Sequence, residues 1–191
     1  MKSEYLKKEC FRDSVWSGGC TRELFIFPKD ASYKDGKFLA RLSTATIENS
    51  FSIFTKLEGI RRFICTITQP ILLKVDGKEI FLSPFEVFEF SSDSHVESYG
   101  ITQDFNLMLK DKKVGGWMKV LKKEEPISIS SNKNGILCIF SHFDDSVVFI
   151  GNEEYKMEGN SLLIVRELTS SSINIKCGSQ KPLIASFIEE K

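Results

Sequence analysis

The chain has 191 residues, and its 26 Lys and Arg residues balance its 26 Asp and Glu residues, so the formal net charge is zero. A nucleic-acid-binding domain normally carries a basic excess or a basic stripe, and this chain has neither. No apolar run approaches the roughly 20 residues that span a bilayer. Residues 1–4 lead into no apolar signal segment, which predicts a cytoplasmic protein without nucleic-acid or membrane partners.

Hydrophobic residues alternate with a period of two along most of the chain, which is typical of half-buried strands. In the first half, strands are predicted at residues 24–27, 38–47, 62–68, 71–75, 78–82, 85–90, 95–99 and 105–109. In the second half, strands are predicted at residues 127–130, 135–142, 146–150, 154–157, 161–165, 172–177 and 183–188. Residues 1–12 fit either a helix or a strand. Turn residues punctuate the strands evenly, which predicts an all-β sandwich or barrel.

An internal repeat is visible within this pattern. Residues 75–90 align with residues 150–165 at an offset of 75 residues, and each copy reads as strand, turn, strand, turn and longer strand. A duplication of this kind predicts two barrel-like halves, 5–110 and 117–191, packed as one compact unit. Residues 110–116, with their lysines and the Gly-Gly pair, then form a solvated linker. The alternative is a single β-sandwich without internal symmetry.

Polar and charged residues interrupt several segments that otherwise read as buried strand. The interrupted segments are WSGGCTREL at 16–24, RLSTA at 41–45 and DFNLM at 104–108. Alternation places Asp104, Asn106 and Met108 on one face of their strand, and Arg41 and Ser43 on one face of theirs. Burying such groups without partners costs several kcal/mol, so they must meet water, each other or a ligand.

These segments, together with Phe51-Ser52 and GIRR at 59–62, resemble the HutD/Ves family of small bacterial proteins. The resemblance runs through most of residues 5–110 and implies that residues 1–191 form one HutD/Ves unit. It implies a cupin fold, here a bicupin of the RmlC-like jelly-roll type, and an association with histidine utilisation or stress response. Cys20 stands where the family usually continues in glycine, and residues 68–70 replace a glycine of the family.

Metal and nucleophilic chemistry lack the usual sequence signals. His95 and His142 are the two histidines, whereas a metal-binding cupin places two histidines two residues apart on one strand. Five scattered cysteines without CxxC spacing favour free thiols over a disulfide framework or a zinc site. There is no GxSxG elbow, GxGxxG segment or Walker segment. We therefore expect no metal, no cofactor and no assigned catalytic residue.

The polar strand faces predict a ligand site in the N-terminal half. The residues assigned to it are Trp16, Thr21, Glu23, Arg41, Ser43, Arg62, Asp104, Asn106 and Met108. Small barrels either fill with apolar side chains or hold one ligand, and Arg suits a planar carboxylate. Arg41 is the expected anion clamp, with Arg62 second, and Trp16 would cover the ligand. The competing interpretation is a closed network in which Arg41 or Arg62 pairs with Glu23 or Asp104.

The predicted function is a non-catalytic regulatory protein that binds a small carboxylate or amino-acid-like metabolite. The resemblance suggests a metabolite of histidine degradation. Two alternatives stay open: a metal-independent cupin enzyme of isomerase or lyase type that uses Glu23, Asp104 or His95 as acid–base groups, and a stress-related scaffold without a ligand. A homodimer is compatible with the sequence.

Overall fold

The computed structural model describes residues 1–130, 135–168 and 172–191. In these ranges the regular structure consists of β-strands and a short 3-10 turn at Lys8–Cys10. No helix in the described ranges is long and apolar enough to cross a membrane. The all-β prediction is confirmed.

The chain forms two compact units. The N-terminal unit is Arg12–Val114, and the C-terminal unit combines Met1–Phe11 with Gly115–Lys191. Residues 5–11, which the sequence assigned to the N-terminal half, therefore belong to the C-terminal unit. The reason is that strand β1 (Lys2–Leu6) pairs antiparallel with strand Ser161–Arg166 of the C-terminal unit.

The N-terminal unit contains two antiparallel sheets. Its strands are β2 (Arg12–Trp16), β3 (Gly19–Phe27), β4 (Ala40–Ile47), β5 (Phe51–Ile53), β6 (Ile60–Thr66), β7 (Ile71–Val75), β8 (Lys78–Leu82), β9 (Val87–Ser91), β10 (Val96–Tyr99) and β11 (Thr102–Lys110). The larger sheet has the order β2-β3-β4-β11-β6-β9, and the smaller has the order β5-β10-β7-β8. An apolar cluster joins residues of both sheets, including Ile64, Ile71, Leu73 and Phe90.

The C-terminal unit also contains two antiparallel sheets. Its further strands are β12 (Val114–Leu121), β13 (Ile127–Ile129), β14 (Gly135–Ser141), β15 (Ser146–Ile150), β16 (Glu153–Met157), β17 (Ser161–Arg166), β18 (Ile173–Cys177) and β19 (Leu183–Glu190). The sheets have the orders β1-β17-β14-β19-β12 and β13-β18-β15-β16. Leu137, Ile139, Leu163, Ile175 and Phe187 belong to one large buried cluster in this unit.

The two units repeat one pairing pattern at the predicted offset. In the hairpin of β7 and β8, Val75 pairs with Lys78. In the hairpin of β15 and β16, the residues 75 positions later, Ile150 and Glu153, pair in the same way. The two hairpins therefore share one register at the offset of the predicted repeat.

The larger sheets share a strand order, β4-β11-β6-β9 in one and β12-β19-β14-β17 in the other, in which Leu137 stands 75 residues after Arg62 and Phe187 stands 79 residues after Met108. Arg62 on β6 pairs with Met108 on β11, and Leu137 on β14 pairs with Phe187 on β19. Strand β14 is thus the counterpart of β6, and strand β19 is the counterpart of β11.

Several strands were not predicted, and each lacks a hydrophobic alternation. Strand β2 is exposed at every position, and β5 is only three residues long. Strand β12 contains Gly115 and Gly116, which the sequence analysis assigned to a linker. Glycine carries no side chain that would mark a strand face, so only the pairing of β12 beside β19 in the sheet identifies it.

Candidate functional site

A cavity of about 390 Å³ lies in the N-terminal unit, against the larger sheet. Eight of the nine predicted site residues line it: Trp16, Thr21, Arg41, Ser43, Arg62, Asp104, Asn106 and Met108. Glu23 is not among the lining residues, although it contacts Arg41. The structure therefore brings the predicted residues together around one space.

Strand register explains why residues distant in sequence meet here. Arg41 on β4 and Arg62 on β6 both pair with Met108 on the intervening strand β11. The two arginines lie two strands apart, a separation of about 10 Å at about 4.8 Å per strand. In a neighbouring row, Ser43 pairs with Asn106. Met108 thus lies between two cationic side chains, and burial, the larger cause, lowers the pKa of Arg62 together with the charge of Arg41.

Arg41 is already neutralised within the protein. Its Nε donates to Glu23 Oε2 at 2.8 Å, and its Nη1 donates to Ser43 Oγ at 3.1 Å. The Arg41 side chain is only 6 % exposed, and its guanidinium lies 4.4 Å from the centre of the Tyr33 ring. This part of the site matches the competing interpretation, a closed ion-pair network.

Arg62 is bound differently. Its Nε donates to the neutral side chain of Asn106, at 3.0 Å from Oδ1, and its guanidinium lies 4.5 Å from the centre of the Phe54 ring. Within the described part of the chain, no carboxylate lies within 4.0 Å of Arg62 and its terminal nitrogens have no hydrogen-bond partner. Arg62 therefore keeps donor groups that no described residue uses, whereas Arg41, the arginine ranked first from the sequence, is already paired with Glu23.

Asp104 is the buried carboxyl group of the cavity, with 2 % exposure. Its Oδ1 accepts from Asn106 Nδ2 at 2.7 Å and from the Ala45 backbone N–H at 3.2 Å. Burial raises the pKa of Asp104 to about 7, although the charge of Arg62 and both hydrogen bonds act in the opposite direction. Asp104 can therefore change its protonation state near neutral pH.

The glycine pair after Trp16 shapes the edge of the cavity. The indole Nε1 of Trp16 donates to Thr21 Oγ1 at 3.1 Å. A Cβ atom on Gly18 would lie 2.1 Å from the Trp16 ring, and one on Gly19 would lie 1.8 Å from the Thr46 carbonyl oxygen. The absence of a side chain at Gly18 lets the Trp16 ring fold back over the turn, and its absence at Gly19 lets the backbone approach Thr46 on β4.

Sequence reasoning missed the aromatic and basic residues that loops supply to the cavity. Tyr33, Lys34 and Phe54 line it together with the predicted residues. Tyr33 and Lys34 lie between β3 and β4, and Phe54 follows β5. These loop segments have no strand periodicity, so the sequence offered no sign of which face they cover.

His95 does not reach the cavity. It is exposed, its backbone N–H donates to Asp76 Oδ1 at 2.8 Å, and its Nε2 lies 3.2 Å from Glu97 Oε1. It is not among the residues that line the cavity. His95 immediately precedes β10 and its side chain is exposed, so it is not placed to act as an acid–base group in this cavity.

No cluster of three or more His, Cys, Asp or Glu side chains in the described ranges could hold a metal ion. The five cysteines are free thiols. Burial raises the pKa of both Cys65 and Cys138 to about 12.

Comparison with known protein families shows the family to which the chain belongs. The HutD family model matches residues 8–183. The chain belongs to the HutD family. No curated protein sequence matches it significantly.

Solved structures show the same fold. HutD from Pseudomonas fluorescens SBW25 covers 100 % of both chains with a TM-score of 0.79 and 22 % identity. A conserved protein of unknown function from Pseudomonas aeruginosa PAO1 covers 100 % of both chains with a TM-score of 0.80 and 20 % identity. The bacterial pirin YhhW from Escherichia coli, solved with nickel(II), covers 99 % of both chains with a TM-score of 0.64 and 9 % identity. These similarities confirm an all-β, cupin-type fold for this HutD protein.

Proposed function

We propose that this HutD protein is a non-catalytic regulatory protein that binds a small carboxylate or amino-acid-like metabolite in the cavity of its N-terminal unit. The observation that carries the proposal is Arg62, a cavity-lining guanidinium without a carboxylate partner among the described residues. Arginine presents several N–H donors in one plane, which matches the two oxygens of a carboxylate.

The surroundings of Arg62 support an anion over a cation. The charge of Arg41 is neutralised by Glu23, so this pair adds little net charge to the cavity. Lys34 lines the cavity, is exposed and forms no ion pair within the described residues. With Asp104 neutral, the cavity therefore carries a net positive charge, which attracts anions.

The wall of the cavity favours a ligand with an apolar part. Trp16, Ile47, Ile53, Phe54 and Met108 all contribute to its lining. A volume of about 390 Å³ falls within the usual range for small-molecule sites of roughly 300–1,000 Å³. The proposed ligand therefore has a carboxylate end for Arg62 and an apolar or planar body.

Thermal-shift measurements over a panel of organic acids and amino acids test this proposal. A ligand at ten times its Kd adds about 1.4 kcal/mol of stability, and the unfolding midpoint rises with ligand concentration. Arg62→Gln should abolish the shift, whereas Arg61→Gln should preserve it. Arg61 is the neighbouring position on β6 and pairs with Glu89 outside the cavity. If no acid in the panel stabilises the wild-type protein, the proposal is wrong.

The properties of Asp104 support a second candidate function, that of a metal-independent isomerase or lyase. A buried carboxyl whose pKa is about 7 can accept or donate a proton at neutral pH. Of the three suggested acid–base groups, Glu23 is held by Arg41 and His95 lies outside the cavity lining. Incubation of the protein with each stabilising acid, followed by mass and NMR analysis, tests this candidate. Turnover that Asp104→Asn abolishes would favour the enzyme over the regulator.

A further inference from the structure

The hydrogen-bond chain on the cavity floor couples Arg62 to Asp104. Arg62 Nε donates to Asn106 Oδ1, and Asn106 Nδ2 donates to Asp104 Oδ1. The two contacts use opposite ends of the Asn106 amide, so they fix its orientation. A bound anion at Arg62 would therefore face Asp104 across a single amide group.

The single positive charge of Arg62 can neutralise only one buried anion. Asp104 is 2 % exposed, and its hydrogen-bond donors are the neutral N–H groups of Asn106 and Ala45. Within the described chain no cation lies within 4.0 Å of its carboxylate. When a ligand carboxylate takes the charge of Arg62, an ionised Asp104 would be left buried and uncompensated, which is strongly unfavourable.

The other charged and titratable groups around Asp104 do not resolve this conflict. From the neighbouring strands, Arg41 is paired with Glu23, and the buried Cys65 thiol has its pKa raised by burial and by Asp104 itself. From the loop between β3 and β4, Tyr33 packs on Arg41 and Lys34 is exposed. The cavity-lining residues 52–55 are not ionisable.

We propose that the site binds a carboxylate without a neighbouring ammonium group, and that one proton from solvent is taken up on Asp104 when this anion binds to Arg62. This inference rests on the proposed function and narrows its ligand class. A neutral Asp104 keeps its hydrogen bonds to Asn106 and Ala45 through Oδ1 and gains an O–H that can donate toward the cavity. An amino acid, in contrast, would bring an ammonium group that pairs with ionised Asp104.

The coupling between proton uptake on Asp104 and anion binding at Arg62 predicts how the affinity changes with pH. The pKa of Asp104 in the empty protein is about 7, and a nearby anion raises it further. Below about pH 6 Asp104 is already protonated and the affinity for a carboxylate should be independent of pH. Above about pH 7 the affinity should fall by up to tenfold per pH unit, because each binding event then requires a proton.

Matched pairs of probes that differ only in the ammonium group test the proposal. They are acetate and glycine, propionate and alanine, and 3-phenylpropionate and phenylalanine. Isothermal titration calorimetry at pH 6 and pH 8, in two buffers with different ionisation enthalpies, measures both the affinity and the number of protons taken up. We expect the simple acids to bind more tightly than their amino partners, with uptake approaching one proton at pH 8.

Asp104→Asn keeps an oxygen acceptor for Asn106 and Ala45, so it should bind the same acids without proton uptake and with no loss of affinity between pH 6 and pH 8. Asp111→Asn is the matched control, because it removes an exposed carboxylate outside the cavity lining and should retain wild-type proton uptake. The buffer comparison on the wild-type protein gives the result even if a variant fails to fold.

Two results would overturn this inference while the proposed function stands. One is a wild-type protein that binds the simple acids with no proton uptake at pH 8. The other is an amino acid that binds more tightly than its partner without the ammonium group. If neither member of any pair binds, the inference and the proposed function both fail.

Discussion

The two units of this HutD protein share a strand register, but they differ in the side chains that occupy equivalent paired positions. Where the N-terminal unit pairs Arg62 with Met108, the C-terminal unit pairs Leu137 with Phe187. Where the N-terminal unit has Asn106, the C-terminal unit has Ala185. The C-terminal positions belong to a buried apolar cluster.

The comparison separates the needs of the fold from the needs of the site. An apolar interior is enough to form this pairing pattern, since the C-terminal unit has one. The polar residues of the N-terminal unit are therefore not required by the strand topology. Groups that cost stability when buried, and that the fold does not need, indicate a function.

Placing an arginine in the C-terminal unit should have the largest effect. Leu137 is fully buried, so Leu137→Arg puts an unpaired charge among apolar side chains. The cost should be several kcal/mol, a large part of a typical stability of about 5–15 kcal/mol. Arg62→Leu, the reverse exchange, should cost less than about 2 kcal/mol, since this side chain is half-buried. Urea unfolding measures both, and near-equal losses would contradict the comparison.

Asp104 should make the stability of the N-terminal unit depend on pH. The pKa of Asp104 is about 7 in the folded protein and about 3.9 when unfolded, so the folded state binds more protons between these values. Stability should therefore fall as the pH rises from about 4 to about 7, by on the order of 4 kcal/mol, and level off above about pH 8.

The difference between wild type and Asp104→Asn isolates this contribution. Chemical denaturation at several pH values should show that the variant gains stability relative to wild type as the pH rises. Asp111→Asn, an exposed acid, should follow the wild-type curve. A constant difference between Asp104→Asn and wild type from pH 4 to pH 8 would show that Asp104 does not titrate in this range.

The ion pair that neutralises Arg41 should matter more than an exposed pair in the same sheet. Glu23→Gln leaves the buried Arg41 without its carboxylate, and the expected cost is about 1–3 kcal/mol, below that of a fully buried pair because Glu23 is 24 % exposed. Asp13→Asn breaks the exposed contact with Arg22 and should cost less than about 1 kcal/mol. If urea unfolding shows equal losses of stability for the two variants, breaking the buried pair of Arg41 costs no more than breaking an exposed pair, which would contradict this prediction.

Adding one methyl group at the edge of the cavity should cause the smallest loss of stability among these variants. Gly18→Ala places its Cβ 2.1 Å from the Trp16 ring, so the ring must move. In a Trp117→Phe background, the fluorescence maximum of Trp16 should shift while stability changes by less than about 1 kcal/mol. Gly115→Ala in the C-terminal unit is the control, because its Cβ would meet its nearest atom at an ordinary 3.6 Å. An unchanged Trp16 spectrum in Gly18→Ala would contradict the packing of this ring on the turn.

Hydrophobic alternation made most of the fold predictable. Residues 71–75, 78–82 and 146–150 form strands with the predicted bounds, and the other predicted segments overlap strands that differ at their ends. The faces of the site strands were also predictable, since Asp104, Asn106 and Met108 line the cavity while Phe105 and Leu107 are fully buried. Side chains two apart on a strand share a face, so this information is local.

The tertiary structure decided which partners these faces meet. The sequence ranked Arg41 above Arg62 as the anion clamp, but register and burial place a carboxylate on Arg41 and a neutral amide on Arg62. It also assigned Gly115 and Gly116 to a linker, although they lie in a strand. Cross-strand pairing and loop closure join residues that are far apart in the chain, and the free energy of a charged group depends on those neighbours. The sequence by itself therefore determined the strands, their repeat and the faces of the site, and only the assembled sheets decided which arginine keeps its donors free.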